Sequence, residues 1–181
     1  MVSSADADGA AVVDEEIRTL EFAEALGVGK GDRVIIYMPM VPEAIVAMLA
    51  CARLGVMHSV VFAGFSATAL GARVEDAQAK LVITTDGQYR RGQAASLKTA
   101  VDEAVANQPS VEHVLVVKRT GIDVDWTDGR DLWWHETVET ASPEHTPEAF
   151  DAEQPWEMLD DEVQRLVLYG SGKEKIAFRY L

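Results

Sequence analysis

The run from Gly31 to Ser66, GDRVIIYMPMVPEAIVAMLACARLGVMHSVVFAGFS, reads as strand, helix, strand and the start of a further helix. Arg33 to Met38 is an apolar run between turn residues, the pattern of a strand buried on both faces. Pro39 ends it. Pro42 suits the first turn of the next helix, where a missing N–H has no helical partner to lose. Ile45, Met48, Leu49 and Ala52 share one face of that helix, and Gly55 stops it. Ser59 to Phe62 is a second apolar strand. Strands linked by helices imply right-handed crossovers, so the expected fold class is α/β, a mainly parallel sheet with flanking helices.

The same alternation continues downstream. Ser66 is a candidate cap for a helix in which Leu70, Val74 and Ala77 share a face. Leu81 to Thr84 reads as a third strand and Val114 to Val117 as a fourth. Between them, a helix over 96–106 presents Leu97, Val101 and Val105. Upstream, Ile17, Leu20, Ala23 and Leu26 have helical spacing, and Gly27 is a plausible stop. Ile122 to Trp134 is a turn-rich excursion with Asp128-Gly129, followed by a short helix. Trp126, Trp133 and Trp134 are expected to pack a small satellite core, with an aromatic docking surface as the alternative.

The texture changes near Gln154-Pro155-Trp156. Trp156, Leu159, Val163 and Leu166 predict a helix, and 166–169 and 176–180 predict two strands about Gly170-Ser171-Gly172. The domain reading is therefore an acidic, disordered lead-in over 1–16, an α/β domain over 17–155 and a separate helix–hairpin tail over 156–181.

Charge narrows the classes of function. The net charge of −14 disfavours nucleic acid or an anionic membrane as partner. The single cysteine, Cys51, excludes an intrachain disulfide and a cysteine-based zinc site, and its apolar helical setting predicts a buried, inert thiol. The longest unbroken apolar run, Ala44 to Ala52, falls short of the about 20 residues that span a bilayer. The N-terminus lacks a basic region followed by an apolar core. The expected setting is cytoplasmic, with no membrane partner. His58, His113, His135 and His145 fall on separate elements, so no metal ligands are assigned.

Four short motifs bear on ligand binding. GVGKG, Gly27 to Gly31, lies between helix and strand, the reverse of a phosphate loop, and reads as a helix stop and turn. LYGSGKEK, Leu168 to Lys175, has one residue between its glycines and Glu174 after Lys173, so it reads as a hairpin turn. FAGFS, Phe62 to Ser66, does run strand–loop–helix but lacks a full glycine pattern, so an ordinary turn is favoured. DGQYRRGQ, Asp86 to Gln93, follows the third strand, at the sheet end where open α/β sheets bind ligands. Arg90 and Arg91 there are either a phosphate clamp or a pair of solvated arginines.

From about Gly27 to Pro155 the chain resembles the acetyl-CoA and propionyl-CoA synthetases, AMP-forming ligases of the adenylate-forming superfamily. The strings that carry the resemblance are the 31–66 run, KLVITTDGQYRRG, LKTAVDEA, VEHVLVVKRTG, DVDWTDGRDLWWHE and FDAEQP. The family forms an acyl-adenylate from ATP and a short carboxylate, then transfers the acyl group to coenzyme A. The resemblance implies an early part of a large N-terminal domain. It places Phe62, Ala63 and Gly64 at the nucleotide end of coenzyme A, and Arg90, Arg91, Gly92 and Gln93 along its phosphates. Gln93 stands where the family often has Arg, which removes one charged contact.

The family's phosphate loop, of the form TSGTTGKPKG, is expected directly after the FDAEQP-like segment, but Trp156-Glu157-Met158 stands there. No catalytic residue is assigned, and ATP and magnesium are not expected to bind. Residues 155–181 resemble a short internal segment of the excinuclease ATPase of bacterial nucleotide excision repair, which makes the chain a chimera on this reading. The expected function is that of a truncated acetate– or propionate–CoA ligase, inactive alone. The family's small molecules are acetate, ATP and coenzyme A. A non-catalytic coenzyme A-binding or interaction module is the alternative, and a DNA-repair fragment a weaker one. Self-association through an incomplete sheet is a further expectation.

Overall fold

The computed structural model describes residues 18–19, 22–138 and 141. The acidic lead-in, the tail over 156–181 with its expected helix and hairpin, His145 and the FDAEQP segment lie outside the described residues.

Apolar runs become strands where both faces can be covered. Strand β1 is Arg33–Met38, β2 Met57–Phe62, β3 Leu81–Thr85, β6 His113–Val117 and β7 Asp131–Trp133. They form one five-stranded sheet in the order β2-β1-β3-β6-β7, and every pairing is parallel. A short antiparallel pair, β4 Gly87–Arg90 and β5 Gln93–Ser96, stands apart from it. The helices are α1 Pro42–Arg53, α2 Ala67–Ala77, α3 Lys98–Val105 and α4 Trp134–Val138.

The strand order explains the two cores. The chain moves from β1 outward to β2, then returns across β1 to β3 and onward to β6. Crossovers of fixed hand put helices on opposite faces when the direction reverses. Accordingly, Val34, Ile36, Leu81, Ile83, Leu115 and Val117 pack with α1 and α4 on one face. Ile35, Tyr37, Val82, Val114 and Val116 pack with α2 and α3 on the other. Both faces of β1, β3 and β6 are thus buried, which is why these strands read as apolar runs.

Local signals place the helix ends. Helix α1 begins at Pro42. The Ser66 Oγ caps α2 by accepting from the Ala69 N–H at 3.3 Å. The GVGKG segment is a helix stop: Gly27 has φ +74° and its N–H donates to the Glu24 carbonyl at 2.8 Å, while the Val28 N–H reaches Ala23 at 2.9 Å. Of the helix expected over 17–26, residues 18–19 and 22–25 are seen as helical.

Three segments depart from expectation here. Helix α1 buries Val46, Ala47, Ala50 and Cys51, whereas Ile45, Leu49 and Ala52 of the expected face are exposed. The excursion after β6 ends in a fifth parallel strand, β7, rather than running directly into a helix. The three tryptophans do not form one satellite cluster. Trp126 and Trp133 stack at 4.5 Å against the core of α2 and α3, whereas Trp134 is buried in the core of α1 and α4. They divide because Trp133 ends β7 and Trp134 starts α4, so neighbours in sequence face opposite sides of the sheet. Cys51 is buried, as expected, and its thiol is pushed up to about 12 by burial. No helix among the described residues is long and apolar enough to cross a membrane.

Candidate functional site

The site is built at the carboxyl ends of β1, β2 and β3. In this strand order the chain departs from β1 in one direction and arrives at β3 from the other, and ligands of open α/β sheets bind at such a switch point. Tyr37, near the end of β1, is buried and donates its hydroxyl to the Phe65 carbonyl at 2.8 Å. The Thr84 hydroxyl on β3 donates to the Tyr37 carbonyl at 2.8 Å. The loop after β2 is thereby tied to the centre of the sheet.

That loop carries Phe62, Ala63 and Gly64. Ala63 is buried, while Phe62 is 70% exposed. A Cβ at Gly64 would stand 2.7 Å from Cε1 of the Phe62 ring, so a side chain there would displace that ring. The Arg73 guanidinium covers the Phe65 ring at 5.0 Å.

Arg90, Arg91, Gly92 and Gln93 form the tip of the β4–β5 hairpin, where Arg90 pairs with Gln93. Arg91 (φ 52°) and Gly92 (φ 77°) are its two central residues, both with the positive φ that a type I′ hairpin turn requires. The sequence placed this segment only as following the third strand; the structure shows a hairpin. All four tip residues are exposed. Among the described residues, no hydrogen bond or ion pair engages the side chains of Arg90 and Arg91. Tyr89, on the same arm, is 60% exposed.

The two segments are joined. Gln88 on β4 donates its Nε2 to the Ala63 carbonyl at 2.8 Å. All seven expected residues therefore belong to two linked segments, the end of β2 with its following loop and the tip of the β4–β5 hairpin. Sequence reasoning missed Gln88, because a single glutamine on a short arm carries no motif.

The base of the hairpin is held by Asp86, a fully buried carboxylate. Its Oδ1 accepts from the N–H groups of Gly87 at 2.6 Å, Arg119 at 2.9 Å and Thr120 at 3.0 Å. Its Oδ2 accepts from Thr120 at 3.1 Å and Gly121 at 2.6 Å. Burial works to raise this carboxyl, and the backbone donors of Thr120, Arg119, Gly121 and Gly87 outweigh it, holding it below its ordinary value. The Asp86-Gly87 pair at a strand end is a turn signal in the sequence, but the donors from 119–121 are remote from it.

A second charged cluster surrounds the buried Lys98. Lys98 Nζ meets Asp131 Oδ2 and Asp102 Oδ1, each at 2.7 Å, and the Asp125 carbonyl at 3.2 Å. Arg130 also bonds Asp102, and its Nε reaches Asp131 Oδ1 at 2.6 Å. Burial raises the Asp131 carboxyl, and the bonds from Arg130, Lys98 and the Thr127 N–H more than reverse this. Every charge in the group has a partner, so it reads as a structural clamp between α3 and the segment before β7. Among the described residues, no group of three or more His, Cys, Asp or Glu is placed to hold a metal ion.

Comparison with known proteins bears on the fold and the family. The family model described as AMP-binding enzyme matches residues 18–161. The acetyl-coenzyme A synthetase of Mycolicibacterium smegmatis is 75% identical over 146 residues, covering 81% of this chain and 16% of that protein. The acetyl-coenzyme A synthetase of Streptomyces avermitilis is 63% identical over 142 residues, covering 78% of this chain and 22% of that protein. Among solved structures, the acetoacetyl-CoA synthetase from Streptomyces lividans superposes with a TM-score of 0.65 at 28% identity, covering 76% of this chain and 21% of that one. The chain thus spans about a fifth of the length of the relatives it matches. With the parallel sheet and the matched residues in agreement, the chain belongs to the AMP-binding enzyme family.

Proposed function

We propose that this domain supplies the coenzyme A end of the site in an acetate– or propionate–CoA ligase. The observation that carries this reading is the pair of unengaged guanidinium groups, Arg90 and Arg91, on a hairpin linked through Gln88 to the Phe62–Gly64 loop. In the family reaction a carboxylate oxygen attacks the α-phosphorus of ATP and pyrophosphate leaves. The coenzyme A sulfur then attacks the acyl carbon and AMP leaves. The hairpin's part is to hold the phosphates of coenzyme A, each charge-assisted bond contributing about 1.5–3 kcal/mol. Exposed Phe62 and Tyr89 offer apolar surface for the adenine beside those charges. Gln93 contributes a neutral donor where an arginine would add charge.

On this reading these 181 residues, tested by themselves, bind coenzyme A without forming the adenylate, because Trp156-Glu157-Met158 stands where the phosphate loop is expected. Two measurements test it. Coenzyme A added to labelled protein should shift the amide signals of 62–64 and 90–93. Purified chain given ATP, magnesium, acetate and coenzyme A should release no pyrophosphate. Shifts confined to other residues, or acetate-dependent pyrophosphate release, would refute the two parts respectively.

A second reading, self-association, is favoured by β2. Among the described residues it is an edge strand, five of its six residues are exposed, and its sequence MHSVVF has no charged residue to discourage edge pairing. Two copies would then pair β2 against β2. Sedimentation velocity over a range of concentrations tests this, and a strictly monomeric boundary opposes it.

A further inference from the structure

We propose that Asp86 and Gln88 are positioning residues that set the aim of the arginine hairpin and so govern its affinity for coenzyme A. This rests on the reading given above. The hairpin is not part of the main sheet, so its own two strands cannot fix its direction. Asp86 fixes the base. Besides the five bonds to its carboxylate, its N–H donates to the Val117 carbonyl at 3.0 Å. Its carbonyl accepts from the Leu97 N–H at 3.1 Å, where the chain leaves the hairpin. One residue therefore ties the hairpin's entry, its exit and the end of β6 together.

The carboxylate sits in a concavity of successive N–H groups from Arg119 to Gly121, the arrangement that elsewhere binds free anions. Here the chain fills it with its own anion. The base is also closely packed: a Cβ on Gly87 would lie 2.6 Å from the Ala95 carbonyl and 2.9 Å from the Thr120 hydroxyl. Gln88 adds the outer tie, to Ala63. Its neighbour Tyr89 and then Arg90 follow directly along the same strand, so the aim of the guanidinium depends on both ties.

The two variants separate the ties. Asp86→Asn keeps one oxygen but turns an amide NH2 toward backbone donors that face both sides of the carboxylate. Gln88→Ala removes only the outer tie and leaves the base intact. Hydrogen exchange should accelerate about tenfold or more at the amides of 87–96 in Asp86→Asn, while β1, β3 and β6 keep their protection. Both variants should weaken coenzyme A binding, Asp86→Asn by about tenfold and Gln88→Ala by a few-fold. If Gln88 acts through Arg90, the double variant Gln88→Ala/Arg90→Ala should bind no worse than Arg90→Ala alone. Additive losses would overturn that route, as would Gln88→Ala and Asp86→Asn proteins that retain full affinity while Arg90→Ala loses it. A failure of the unmodified chain to bind coenzyme A overturns instead the functional reading beneath this inference.

Discussion

Lys98 and Asp131 form an ion pair at 2.7 Å in which both side chains are wholly buried. Neither could be left there alone, since an unpaired charge out of water is far costlier than the pair. Lys98→Met keeps the length of the side chain and strands Asp131 with Arg130. It should destabilise the domain by about 3–5 kcal/mol in a denaturant titration. A change within experimental error would mean that the clamp contributes nothing to stability.

Gly87 shows how tightly the hairpin base is packed. The obstacle to a Cβ is the Ala95 carbonyl at 2.6 Å, which is backbone and cannot swing aside. Gly87→Ala should cost about 1–3 kcal/mol of stability by overpacking. It should also increase proteolysis within 87–96 ahead of the sheet. Equal stability and equal cleavage would contradict the geometry.

Acid should weaken the fold through Asp86 and Asp131. Both carboxyls lie below their ordinary value of 3.8 in the folded chain, so the unfolded chain binds more protons as the pH falls. Their contribution is present in full above the ordinary value and is lost as the pH drops through the lower, folded value. The melting temperature should therefore fall as the pH drops through about 4 and below, and fall less steeply in Asp131→Asn, which has already lost one titrating group. An identical slope in the variant would oppose the assignment.

Cys51 should resist modification. Its thiol is buried and raised to about 12, so almost no thiolate exists at mildly alkaline pH. A thiol reagent such as Ellman's should label the native chain far more slowly than the chain in guanidinium. Rapid labelling of the native protein would show that the α1 face opens.

How much of this was legible in the sequence depended on what each segment buries. Strands β1, β3 and β6 stand between two helical layers, so they needed apolar residues throughout and announced themselves. Strand β7 did not, being three residues long and starting with Asp131, whose charge is balanced by Lys98 and Arg130 from elsewhere in the fold. The β4–β5 hairpin was hidden for a related reason. Its strands bury little, and its turn puts Arg91 at a positive-φ position that Asn, Asp or Gly would normally signal. Local pattern singled out Arg90 and Arg91 at a strand end but left them balanced between a phosphate clamp and solvated side chains, and the family resemblance supplied the coenzyme A assignment. Their linkage by Gln88 and Asp86 emerged only in three dimensions, because the bonds span 25 residues to Ala63 and 33 to Arg119.

The proposal that the hairpin arginines hold the phosphates of coenzyme A is tested most directly by calorimetric titration. Coenzyme A is titrated into the unmodified chain and into Arg90→Ala, side by side at low salt. Saturable binding to the unmodified chain is predicted, with a loss of about tenfold or more in the variant, the size of one charge-assisted bond. No binding by the unmodified chain, or equal affinity in the two, would contradict it.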